Sequence, residues 1–113
     1  MEAALKAIAE PRRREILRLV RDAEMTAGQI ASHFEVSRPA ISQHLRVLKE
    51  ADLVFERREG TRRIYRARPE GLAELREFLE GFWDEQLAAL KTAAEKEEGR
   101  GTRAGRTNRR RHP

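Results

Sequence analysis

The chain has 113 residues, 39% hydrophobic and 38% charged, with no cysteine and a formal net charge of +5. That length makes one small domain or one subunit of something larger, with a thin core that burial against a second copy would extend. The lack of cysteine excludes disulfides and thiolate metal sites, no apolar run reaches the roughly 18 residues of a membrane span, and no signal peptide opens the chain, so a cytoplasmic protein without a membrane partner is expected.

The charge is unevenly placed. Residues 1–35 balance six basic against six acidic residues, whereas residues 36–68 hold nine basic and four acidic, a net +5. Residues 69–98 hold three basic and nine acidic, a net −6, and residues 99–113 hold six arginines and no acid. A basic middle block suggests a polyanion partner, although taken by itself it is equally an ordinary solvated surface. The acidic block argues against general stickiness for nucleic acid, since that part should turn away from phosphate.

In chain order, residues 2–9 read as a short helix with Leu5 and Ile8 three apart. Pro11 suits the first turn of a second helix, where a missing N–H costs nothing. There Ile16, Leu17 and Val20 form an apolar stripe, and Arg12, Arg13, Arg14, Arg18 and Arg21 cover the rest. A third helix starts at "TAGQIASHF", where Thr26 and Gln29 have capping-box spacing and Ile30, Ala31 and Phe34 face inward. After a connection of about three residues, Ser37 caps a fourth helix, with Arg38 and Pro39 in its first turn. Beyond Ala51, "LVFERREGTRRIYRA" reads as a hairpin of two short strands, its turn at Glu59-Gly60-Thr61 flanked by Arg57, Arg58, Arg62 and Arg63.

From Leu72 a long helix carries Leu75, Phe78, Leu79, Phe82, Trp83, Leu87, Leu90 and Ala94 in a three-four rhythm. With so little chain left to cover it, this stripe reads as a dimerisation seam; packing back on its own domain would use the same pattern. Residues 99–113, "GRGTRAGRTNRRRHP", lack large apolar side chains and are expected to be a disordered basic tail beyond a single domain at 1–98. That tail either lends non-specific DNA affinity or is merely a solubilising or vector-derived extension.

Two helices joined by a short turn and followed by a basic hairpin make a winged helix-turn-helix: mainly α, about five helices and a two-stranded wing. An α-helix fits the major groove of B-DNA, about 12 Å wide. At about 100° per residue, Leu45 and Leu48 lie within about 40° of Ile41. Pro39, Gln43 and Arg46 lie near the opposite side, with Ser42 beside them. Gln pairs with adenine and Arg with guanine edges, and the wing arginines suit phosphates or a narrow minor groove. The candidate DNA-binding residues are therefore Ser37, Arg38, Pro39, Ser42, Gln43, His44 and Arg46 on the helix, and Arg57, Arg58, Arg62 and Arg63 on the wing. His44 sits nearer the core edge, as an orienting or phosphate contact rather than a base reader.

The run "MTAGQIASHFEVSRPAISQHLRVLKEADLV", followed by "REGTRRIYRARPEGLAEL", resembles the ArsR/SmtB family of bacterial winged-helix repressors, from about Leu5 to Leu90. The resemblance implies a homodimer built from the first and last helices, with Leu5, Ile8, Leu75, Leu79, Phe82, Trp83, Leu87 and Leu90 at the interface. It implies recognition by the helix from Ser37 to Ala51, a wing at residues 53–67, and repression by blocking a promoter, often the protein's own. Metal-sensing relatives carry cysteines near the helix before recognition, or Asp/His/Glu sets on the last helix. Here the first place has only His33, residues 70–98 have no histidine, and His33, His44 and His112 are dispersed. Neither metal nor cofactor is expected.

No nucleophile–base pair, phosphate loop or paired-carboxylate motif suggests an enzyme. Two alternatives to a metal-independent DNA-binding repressor are a winged-helix module for a protein partner, suggested by the aromatic acidic last helix, and a repressor with an organic effector near Trp83.

Overall fold

The computed structural model describes residues 1–99. The elements run α1 (Glu2–Ile8), α2 (Pro11–Asp22), β1 (Met25–Thr26), α3 (Ala27–Ala31), α4 (Arg38–Glu50), β2 (Val54–Glu59), β3 (Arg62–Ala67) and α5 (Pro69–Gly99). They fall into two units, Met1–Phe78 and Leu79–Pro113. The expected tail lies outside the described residues, except for Gly99, the last residue of α5.

Local chemistry sets each boundary. Glu10 caps α2, its Oε1 accepting from the Arg12 N–H at 2.7 Å, and Pro11 occupies the first turn. Thr26 and Gln29 form the full capping box: the Thr26 N–H donates to Gln29 Oε1 at 2.8 Å, and the Gln29 N–H to Thr26 Oγ1 at 3.1 Å. The Ser37 hydroxyl accepts from the Ala40 N–H at 3.2 Å and starts α4. The carbonyls that end α1 are met by arginines of α2. Arg13 donates to Ala7 and Lys6, at 2.8 and 3.1 Å, and Arg14 to Ile8 at 2.7 Å. Such charged donors suit the negative end of a helix.

The hairpin takes a register in which Glu56 faces Tyr65 and Arg58 faces Arg63, closed by Gly60 at φ 64°. A third strand, which the periodicity did not reveal, joins it: Met25 and Thr26 pair with Tyr65 and Ile64, giving the antiparallel order β1-β3-β2. The core of the first unit gathers Ile16 and Val20 from α2, Ile30 from α3, Ile41, Leu45 and Leu48 from α4, and Leu53 and Val54 behind it. Ala7 and Tyr65 close it from α1 and β3.

α4 ends in a Schellman motif. The Leu53 N–H donates to the Leu48 carbonyl at 3.0 Å and the Asp52 N–H to the Lys49 carbonyl at 3.0 Å. Asp52 takes φ 61°, a left-handed position that usually falls to glycine. Its carbonyl oxygen then lies against Gly71, where a Cβ would run directly into it. Gly71 is thus a close-approach glycine.

Two substitutions separate these effects in thermal or urea unfolding. Asp52→Gly relieves the left-handed cost and is expected to raise stability by about 1 kcal/mol. Gly71→Ala forces two backbones apart and is expected to lower stability by about 1–3 kcal/mol; a Gly71→Ala variant as stable as the parent would contradict the contact.

Candidate nucleic-acid interface

α4 is held by one face and open on the other. Ile41, Leu45 and Leu48 are completely or almost completely buried, while Ser37, Arg38, Pro39, Ser42, Gln43 and Arg46 are exposed. The 100° spacing of the sequence therefore becomes a real division between core and solvent. In front of the open face is a groove of about 930 Å³ between α4 and the hairpin, lined on one side by Arg38, Pro39, Ser42, Gln43 and Arg46, and on the other by Arg62 and Arg63. Donors and acceptors on α4 thus share one concave surface with wing cations.

His44 is placed differently. It is half-buried, and its Nδ1 lies 3.4 Å from an Arg13 guanidinium nitrogen, on the side of α4 that meets α2. Burial pushes its pKa down; the Arg13 and Arg12 charges add to that, while Glu10 opposes it. The contact ties α4 to the same arginine that caps α1.

The four wing arginines do not form one cluster. Arg57 turns to Glu24 at 2.8 Å and approaches Glu59, and Arg62 pairs with Glu59 at 3.4 Å. Arg58 and Arg63 share a recess with Lys49 and Glu56, on the side facing α4. Arg63 reaches Glu56 at 3.2 Å, and Arg58 has no ion-pair partner among the described residues.

Glu56 was not among the expected site residues, yet it occupies the junction of helix and wing. Its Oε1 accepts from Lys49 Nζ at 2.7 Å, and its Oε2 meets Arg63 and accepts from the Tyr65 hydroxyl, both at 3.2 Å. The Lys49 hydrogen bond, which outweighs burial, holds its carboxyl below the usual range; burial, then the Glu56 charge, raises the Tyr65 phenol. The sequence did carry a signal for it. Strand alternation from Gly60 pairs Glu56 with Tyr65, and the packing of α4 selects their face as the one it meets.

The expected seam residues also divide. Leu75 is 5% exposed and belongs to the core of the first unit, so α5 packs back on its own domain at that position rather than offering it to a second copy. Leu5 and Ile8 are half-buried against the same core. Leu79, Phe82, Trp83, Leu87 and Leu90 are exposed, Trp83 at 61% and Leu90 at 64%. Trp83 therefore lies on the surface of the single chain rather than in an enclosed cavity. Among the described residues, no group of three or more His, Cys, Asp or Glu is placed to hold a metal ion.

Known proteins are similar to this chain in sequence and fold. Residues 10–55, from the cap of α2 into β2, match the family model described as "Bacterial regulatory protein, arsR family". The chain is 45% identical over 86 residues to the HTH-type transcriptional regulator Rv2034 of Mycobacterium tuberculosis, covering 76% of this chain and 80% of that protein. It is 48% identical over 60 residues to the transcriptional repressor SdpR of Bacillus subtilis, covering 53% of this chain and 67% of that one. A solved homodimeric winged helix-turn-helix DNA-binding domain, Mb0332 from Mycobacterium bovis, superposes with a TM-score of 0.60 at 36% identity, covering 76% of this chain and 80% of that one.

The lowered His44 pKa gives a pH dependence with a definite sign. The folded state disfavours the imidazolium, so the unfolded chain binds more protons as pH falls through the ordinary histidine range. The stability gained from neutral His44 is complete above about pH 6.5 and declines below it. Urea midpoints compared at pH 7.5 and 5.5 should fall more in the parent than in His44→Gln; equal falls would show that His44 is not responsible.

Proposed function

Because this chain belongs to the arsR family of bacterial regulatory proteins, we propose that it acts as a homodimeric repressor that reads a near-palindromic operator through α4 and the wing. It is a DNA-binding transcriptional regulator and not an enzyme. The observation that carries the reading is the open face of α4, with Gln43 and Arg46 standing in a groove shared with wing cations. Pro39 and Ser42 supply short groups that let the helix approach base edges closely. Gln43 and Arg46 are the base readers, toward adenine and guanine edges. Ser37 and Arg38 lie where the helix start meets a phosphate. His44 serves through its contact with Arg13, holding the rotation of α4. On the wing, Arg57, Arg62 and Arg63 already face carboxylates, so Arg58 takes the larger share of phosphate contact.

The exposed stripe from Leu79 to Leu90 supports pairing with a second copy. Large apolar side chains contribute about 1.5–3 kcal/mol each on burial, and the Mycobacterium bovis relative is itself homodimeric. In a dimer the two α4 helices would meet successive major grooves about 34–36 Å apart. Repression would follow from occupying a promoter, the protein's own among them. The site works in the cytoplasm, without metal or cofactor, and rests on residues 1–98. No described helix is long and apolar enough to cross a membrane.

Titration on a duplex selected in vitro for binding and on a scrambled duplex of equal composition tests the reading. Gln43→Ala and Arg46→Ala should each weaken the selected duplex by about 1–3 kcal/mol and leave the scrambled one nearly unchanged. Arg58→Ala should weaken both alike and flatten the logarithmic salt slope by about 0.9. Parent protein that binds both duplexes equally would reject a sequence-specific regulator.

Dimerisation is tested separately. Sedimentation of Trp83→Glu/Leu87→Glu should show the dimer constant weakened by about 100-fold or more, with helicity retained. A dimer of parental strength would remove α5 from the interface.

A further inference from the structure

Among the described residues, Glu56 is the one carboxylate that lies within the groove between α4 and the wing while holding cations from both. Lys49 comes from the last turn of α4 and Arg63 from β3, and Glu56 bonds each with a different oxygen. Its side chain is 14% exposed, whereas those of Lys49 and Arg63 are 53% and 57% exposed. The acid is thus recessed behind two cations whose outer sides remain open to the groove. The Tyr65 hydroxyl, on the partner strand, holds the same carboxylate from a third direction.

An acidic residue in a surface that meets phosphate is unfavourable for affinity, so its placement calls for another role. Resting on the repressor reading above, we propose that Glu56 is a specificity-determining residue, which restrains Lys49 and Arg63 from indiscriminate phosphate contact and fixes the wing to the end of the recognition helix. Non-specific binding draws almost wholly on phosphate contacts and tolerates many geometries. Two cations free to follow any nearby phosphate would strengthen that mode. Docking on the operator needs one relation between helix and wing, because base edges set the register. A carboxylate that already holds Lys49 and Arg63 supplies this relation in the free protein, so less order is lost on binding there. Specificity is the difference between the two affinities, and a group that weakens the wrong complex more than the right one raises it.

The wing supplies its own control. Glu59 pairs with Arg57 and Arg62 at the hairpin tip, where its side chain is 56% exposed, and both of these partners belong to the wing itself. Glu56→Gln and Glu59→Gln change net charge equally, but only the first releases the link between helix and wing.

Both variants and the parent are titrated, as full chains, on the selected and scrambled duplexes from about 50 to 200 mM salt. Thermal unfolding confirms that each is folded at the assay temperature. Glu56→Gln should bind scrambled DNA roughly three- to tenfold more tightly at low salt, with a logarithmic salt slope steeper by about 1 to 2. Its affinity for the selected duplex should rise less or fall, so that the ratio of the two drops. Glu59→Gln should leave the ratio near the parental value. Equal shifts in both variants on both duplexes would reduce the effect to net charge and overturn the proposal. So would an unchanged slope on scrambled DNA in Glu56→Gln. Parent protein that fails to distinguish the duplexes would reject the regulator reading itself, and the slope on scrambled DNA would still decide whether Glu56 restrains the two cations.

Discussion

The two-sidedness of α4 is the constraint on which the rest of the molecule depends. Ile41, Leu45 and Leu48 must be buried for Ser42, Gln43 and Arg46 to face outward in a fixed register. In so small a chain nearly every core element is recruited for this. Ile16 and Val20 come from α2, Ile30 from α3, and Leu53 from the turn that follows α4. The core therefore sets which edge of α4 faces outward as well as how stable the fold is. A change in core volume there would be felt along α4, since close-packed interiors transmit small displacements.

Arginine count and DNA contact are separate matters here. Arg13 and Arg14 are spent on the carbonyls that end α1, and Arg57 on Glu24. Among the described residues, Arg38, Arg46 and Arg58 border the surface in front of α4 without an ion-pair partner.

The parts legible in the sequence were those set by near neighbours. Ser37 and Pro39 marked the start of α4 because helix N-termini have unpaired N–H groups. Gly60 marked the hairpin because a tight turn needs positive φ. Thr26 and Gln29 form a capping box within four residues. What stayed hidden depends on residues distant in the chain. β1 is two residues long and exists only because β3, some forty residues later, pairs with it. The burial of Leu75 could not be told from that of Leu79, since a three-four rhythm does not say which half of a stripe meets its own core. The turn of His44 toward Arg13 and the use of Arg13 and Arg14 as caps required the crossing of α1, α2 and α4. Strand alternation pairs Glu56 with Tyr65 but does not say which face meets α4, and the surrounding arginines masked the acid between them.

The Asp52 carbonyl resting on Gly71 joins the end of α4 to the beginning of α5 through main chain alone. Side chains between helices act as springs, because rotamers can change and absorb a shift. Here nothing of that kind intervenes. A tilt of the first turn of α5 toward α4 presses on the Asp52 peptide, and the Schellman bonds of Asp52 and Leu53 connect that peptide to the last turn of α4. The end of α4 and the start of α5 are thus held by backbone, so a displacement of one is carried directly to the other.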